Sequence, residues 1–134
     1  MCEIILIRGL PGSGKSTIAM RMKGFHHLEA DMYHMEDGEY VYKPENVRLA
    51  HTWCLDTTRD LLFQAQSVVV SNTFITNAEM QPYFDLASDL KVPIGVWEQH
   101  EQYGSIHGVP EEVIARMRAN WEPLALKCSL SPIS

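Results

Sequence analysis

The run Gly9-Leu10-Pro11-Gly12-Ser13-Gly14-Lys15-Ser16-Thr17 constrains this chain more than any other stretch, because it can be satisfied by very few backbone arrangements. Before it stands Ile4-Ile5-Leu6-Ile7, aliphatic and largely β-branched, the pattern of a strand buried on both faces of a parallel sheet. After it, Thr17 to Lys23 holds no proline or glycine and predicts a helix. Glycines 9, 12 and 14 remove the Cβ atoms that would keep the chain from wrapping an anion, so successive backbone N–H groups can turn inward. A helix start adds its dipole to that cradle. The spacing fits G-x-x-x-x-G-K-[ST], in which the lysine reaches the terminal phosphates of a nucleotide and the following hydroxyl ligates Mg²⁺. Gly12, Ser13, Gly14, Lys15, Ser16 and Thr17 are therefore the expected nucleotide-binding set, with Ser16 on the metal.

The remaining pattern alternates strands and helices. Leu28-Glu29-Ala30 predicts a short second strand, Pro44 to Gln66 a long helix, and Val68-Val69-Val70 a third strand. A helix from Asn77 to Leu90, a fourth strand from Val92 to Trp97 and a last helix from Pro110 to Trp121 complete the series. Pro110 suits a first helical turn, and Glu111 and Glu112 suit the positive end of that helix. Such alternation implies an α/β fold: a parallel sheet of four to five strands with helices on both faces. Met35 to Lys43, acidic and containing Gly38, reads as a loop that either merely connects or flaps over the end of strand two.

With 134 residues, 46% of them hydrophobic, the chain suits one domain with one core, over residues 1–123. Residues 124–134 show no periodicity and are expected to be poorly ordered or loosely docked. Cys2, Cys54 and Cys128 are widely spaced and odd in number, which argues against a disulfide framework or a C-x-x-C metal knuckle. A net charge of −6 argues against broad adhesion to nucleic acid, though not against a local pocket for a strand end. No apolar run reaches membrane-spanning length, and a signal peptide is not expected where the first strand stands. A cytoplasmic protein with no membrane contact and no obligate protein partner is the expectation.

In an open α/β sheet, ligands collect outside the carboxyl ends of the strands. Asp31 follows strand two, where it could take a proton from an acceptor hydroxyl, help hold Mg²⁺ through water, or simply cap the next turn. Asn72 follows strand three, where many proteins with such a phosphate loop carry an acid; a neutral amide can orient groups but adds no negative charge beside Mg²⁺. Beyond strand four, Glu98 to Pro110 has the position of a lid, yet it contains no Lys or Arg. His100 and His107 are the only groups there able to become cationic before Arg116. His26 and His27, adjacent on a strand, should face opposite ways and not share a metal. Trp53, Trp97 and Trp121 are most simply core, although one could stack on a base.

These residues resemble the polynucleotide-kinase-like branch of small P-loop kinases, which includes phage 5′-hydroxyl polynucleotide kinases. The likeness rests on Gly9 to Thr17, Asp31-Met32-Tyr33, Asp37-Gly38-Glu39-Tyr40, Val70-Ser71-Asn72-Thr73, and Ile106-His107-Gly108-Val109-Pro110 leading into Arg116-Met117-Arg118. The resemblance implies a three-layer, adenylate-kinase-like P-loop fold, ATP and Mg²⁺ as cofactors, and transfer of the γ-phosphate to an acceptor hydroxyl on a nucleic-acid end or a small molecule. It implies Lys15 and Asp31 as catalytic residues, Asp31 being the base. The chain departs from that family in three places: His34 stands near the position of a substrate-binding arginine, Asn72 where aspartate is usual, and Gln102-Tyr103-Gly104-Ser105 where the lid carries arginine. Arg116 and Arg118 are the candidates to replace the missing charge. If they do not, the alternative is a nucleotide-binding module or slow NTPase without productive transfer.

Overall fold

The computed structural model describes residues 2–36, 38–41, 43–100 and 109–125. Six strands and four α-helices run in the order β1 (Ile4–Arg8), α1 (Lys15–Met20), β2 (Phe25–Leu28), β3 (Met35–Glu36), β4 (Glu39–Tyr40), α2 (Val47–Phe63), β5 (Ser67–Asn72), α3 (Asn77–Leu90), β6 (Ile94–Glu98) and α4 (Glu111–Asn120) among the described residues. Short 3₁₀ helices at Ala30–His34 and Pro44–Asn46 precede β3 and α2. Strands β2, β5, β1 and β6 lie in that order in one sheet, and every pairing in it is parallel. The expected α/β architecture is the one observed.

β1 is central, with every residue buried, and its pleat divides the core. Ile4 and Leu6 join Val68, Val70 and Val96 against Cys54 and Leu62 of α2 and Met80, Tyr83 and Leu86 of α3. Ile5 and Ile7 turn the other way, with Val69, onto Ala19 of α1, where Ile18, Met22, Phe25 and Trp97 close the cluster. Burying a side chain of this size is worth about 1.5–3 kcal/mol, so the aliphatic run that announces the strand also fastens helices to both faces. Trp53 and Trp97 pack, partly buried, against the two clusters.

Boundaries differ from the sequence pattern for local reasons. α1 starts at Lys15 rather than Thr17 because Gly14, at φ 88°, makes the left-handed turn that launches it, and it ends at Met20. β2 covers Phe25–Leu28, earlier than expected, since Ala30 already begins the 3₁₀ turn. α2 stops at Phe63 instead of Gln66, as Ala65 adopts a left-handed φ of 60°. The expected loop after His34 is a small antiparallel hairpin of β3 and β4, with Gly38 at φ 83° between them. α3 keeps its expected bounds and opens with a capping box, Thr76 accepting from the Glu79 N–H while the Glu79 carboxylate accepts from the Thr76 N–H.

Of the stretch 124–134, Leu124 packs on the core and the Ala125 N–H donates to Asn77 Oδ1 at 3.0 Å; residues 126–134, with Cys128, lie outside the described residues. So do residues 101–108 of the expected lid, with His107, and Asp37 of the hairpin. Cys2 and Cys54 are free thiols, and burial pushes the Cys54 thiol above its ordinary pKa. No helix among the described residues is long and apolar enough to cross a membrane.

Candidate active site

Register brings the functional ends of the strands level: Arg8 of β1 sits opposite Asn72 of β5 on one side and Glu98 of β6 on the other. The phosphate loop leaves from this edge. Gly9 donates its N–H to the Thr73 carbonyl at 3.3 Å, and Ser13 donates to the Leu10 carbonyl at 3.1 Å, folding the loop back on itself. Gly12 and Gly14 take φ of 81° and 88°, the left-handed region that glycine enters without a Cβ clash. Gly9 is needed for space instead: a Cβ there would lie 2.5 Å from Ser13 Oγ and 2.6 Å from the Gln99 carbonyl oxygen. Ser13 is fully buried, and its Oγ has no hydrogen-bond partner among the described residues.

Lys15 and Ser16 open α1 facing the end of β2. The Ser16 hydroxyl donates to Glu29 Oε2 at 2.6 Å, and the Ser71 hydroxyl donates to the same oxygen at 2.8 Å. His27 Nε2 lies 2.7 Å from Ser71 Oγ and 3.3 Å from Glu29 Oε2. Since Ser71 spends its proton on Glu29, the His27 contact is one in which Nε2–H donates to Ser71. Burial alone would raise the Glu29 pKa, but the hydrogen bonds of His27, Ser16 and Ser71 outweigh it and hold the carboxyl at about 2. Glu29 is thus a fixed negative charge beside the loop. It was not singled out from the sequence, where the only available signal was a carboxylate at the last extended position before Asp31.

Burial lowers the Lys15 pKa, and the charges of Glu29 and Asp31 oppose that shift. Lys15 therefore lies within the field of both carboxylates, and a polyphosphate entering here would need a further cation beside Lys15 to balance its charge. Asp31 stands in the first turn of the 3₁₀ helix. That turn is clamped from β5: the Asn72 side-chain Oδ1 accepts from the Ala30 N–H at 2.8 Å, while its Nδ2 faces Cys54 Sγ at 4.0 Å. Asn72, 7% exposed, is committed to holding the turn. His34 closes the same helix and is buried, its ring 6.2 Å from that of Tyr33.

A second cluster surrounds Arg8. Its side chain, wholly buried, donates to the carbonyls of Phe74 (3.0 Å), Ile75 (3.2 Å) and Glu122 (2.8 Å) and to Glu98 Oε2 (2.9 Å), and stacks on Trp121. Burial lowers its pKa, opposed by Glu98, but a guanidinium stays charged at any working pH. Phe74 holds a left-handed φ of 44° that directs its carbonyl to Arg8, with its ring against Tyr83 at 5.6 Å. Trp121, expected in the core, instead lines a cavity of about 270 Å³ with Leu10, Gln99, His100 and Arg118. Arg118 thus comes beside the phosphate loop. Arg116, two residues earlier and so on a different face of α4, is exposed and does not line that cavity.

Comparison with known proteins agrees with this fold. A family model described as an AAA domain, AAA_33, matches residues 4–100. Human NEDD4-binding protein 2 is 28% identical over 89% of the chain, which spans only 8% of that protein's length. The Mycobacterium tuberculosis APS kinase CysC, in complex with AMPPNP and APS, superposes with a TM-score of 0.54 at 17% identity, covering 86% of this chain and 67% of that one. The Pnkp1/Rnl/Hen1 RNA repair complex superposes with the same TM-score at 18% identity, covering 87% of this chain and 36% of that one.

Proposed function

The chain belongs to the AAA_33 family of AAA domains, and on that premise we propose that it is a small phosphotransferase that passes the γ-phosphate of ATP to an acceptor hydroxyl. The observation that carries this reading is the bond from the Ala30 N–H to Asn72 Oδ1, which fixes the 3₁₀ turn carrying Asp31 to the end of β5, the strand paired with β1, whose own end leads into the loop that carries Lys15. Kinase structures of the same fold, one of them holding an ATP analogue, support it.

In this reading Gly12, Ser13, Gly14, Lys15, Ser16 and Thr17 surround the phosphates. The unpartnered Ser13 hydroxyl and the Ser16 hydroxyl beside Glu29 suit a polyphosphate with a small, hard dication. When bound, Mg²⁺ supplies neutralisation of the negative charge on the terminal phosphates. Lys15 orients those phosphates. Asp31 accepts the proton of the acceptor hydroxyl, and Asn72 keeps the turn that carries Asp31 in place. Arg118, beside Leu10 and stacked Trp121, is the residue available to cover the nucleotide from α4. The first acceptor class to test is a nucleic-acid 5′-hydroxyl, then nucleosides and sugars.

The test is an acceptor screen with γ-labelled ATP. Labelling of a 5′-hydroxyl oligonucleotide or a small hydroxyl compound, lost in Lys15→Ala with the fold retained, is the expected result. Binding of ATP without labelling of any acceptor would replace this reading with that of a nucleotide-binding module.

A further inference from the structure

The end of β5, Ser71-Asn72, carries no carboxylate, so a cation bound with nucleotide at Ser16 has no acid from that strand. The end of β2 provides one. Glu29 Oε2 accepts the Ser16 proton at 2.6 Å and the Ser71 proton at 2.8 Å, and His27 completes the chain of donors behind Ser71. We propose that Glu29 is the positioning acid for the nucleotide-bound cation, taking over from β2 the part that β5 leaves unfilled. The assignment rests on the nucleotide reading above and adds to it a residue outside the loop motif.

The chemistry follows from the Ser16 hydroxyl, which has one proton and two lone pairs. With the proton fixed on a carboxylate, both lone pairs are turned to other partners, and the oxygen is more electron-rich than that of a free serine. A hard dication prefers such an oxygen. Glu29 Oε1 takes part in neither hydroxyl bond, so it remains to accept from water in the cation's shell; Mg²⁺ keeps several such waters when phosphates provide its other ligands. Ser71 and His27 hold the carboxylate in the orientation that serves Ser16.

The readout is the coupling between cation and nucleotide. AMPPNP is titrated calorimetrically into the wild-type chain and into Glu29→Gln, each in EDTA and in saturating Mn²⁺. Glutamine retains a carbonyl acceptor for both serine hydroxyls, so the fold is kept. The expected result is that the Mn²⁺-dependent gain in AMPPNP affinity falls at least tenfold in Glu29→Gln, while affinity in EDTA is unchanged or tighter because a negative charge has gone. An unchanged gain overturns the assignment. If Glu29→Gln does not fold, Glu29→Asp, which withdraws the carboxylate by one methylene, is measured in its place with the same criteria. A wild-type chain that binds no AMPPNP in either buffer sinks the nucleotide reading and this assignment together, whereas intact coupling in the variant sinks only the role of Glu29.

Discussion

The guanidinium carbon of Arg8 lies 3.9 Å from the centroid of the Trp121 ring, placing the last residue of β1 against the first residue beyond α4. The same guanidinium bonds three carbonyls and a carboxylate, and its removal strands the two buried ones, the carbonyls of Phe74 and Ile75. Arg8→Ala is expected to lower the unfolding free energy by about 3–5 kcal/mol. Arg8→Lys should recover little of it, since an ammonium has neither the planar fork nor the stacking face. Urea denaturation of the three chains checks this, and a loss below 1 kcal/mol for Arg8→Ala would show that the cluster is not a structural clamp.

Gly9→Ala puts a methyl group 2.5 Å from Ser13 Oγ and 2.6 Å from the Gln99 oxygen. One of the contacts is backbone, which yields less readily than a side chain. A stability loss of about 1–3 kcal/mol is expected, together with weaker ATP binding because the displaced atom belongs to the loop. Thermal unfolding with and without ATP separates the two effects.

Asp31→Asn keeps the size of the side chain and removes its basicity. Phosphoryl transfer should fall by roughly 10²–10⁴-fold, the usual worth of a general base, with ATP affinity retained. Steady-state transfer and calorimetry on the same preparation provide the check; transfer unaffected in the variant would remove Asp31 from the base role.

The strand, phosphate loop and helix succession was legible because each is written locally: aliphatic run, glycine spacing, absence of breakers. The bounds of α3 follow from the same kind of local pattern. Arg8 and Glu29 were not legible. Each depends on contacts far away in sequence, Arg8 on residues 74, 75, 98 and 122 and Glu29 on residues 16 and 71. A charge adjoining a strand has no periodic signature, and only the register of the sheet reveals what it meets. Trp121 was misplaced for a related reason: an indole reads as core by composition, while its actual partner is a cation.

Acid should weaken the ligand-free chain in a defined way. Glu29 ionises at about 2 in the folded state, below its ordinary 4.5, so its stabilising contribution is complete above about pH 4.5 and is lost as pH falls towards 2. The difference in unfolding free energy between wild type and Glu29→Gln should shrink across that window by at most about 3 kcal/mol. Parallel urea titrations at several pH values measure it; a pH-independent difference would mean the carboxylate is not held as described.

Thr76→Ala removes half of the capping box that starts α3. The expected cost is about 1 kcal/mol, without effect on nucleotide affinity, since the cap lies at the start of α3 and not in the phosphate loop. Denaturant midpoints and ATP titration together test that separation.

The bond from the Ala30 N–H to the Asn72 side chain joins two neighbouring strand ends through a group with no charge. Neither salt nor acid within the physiological range acts on an amide. Glu29 and Asp31 flank that bond, so the part of the site that must answer to charge hangs from a support that is indifferent to it. Charge can arrive and leave beside the two carboxylates without acting on the amide that supports them. An aspartate at position 72 would join those two tasks in one residue, and the turn would then respond to every change of charge that the site undergoes.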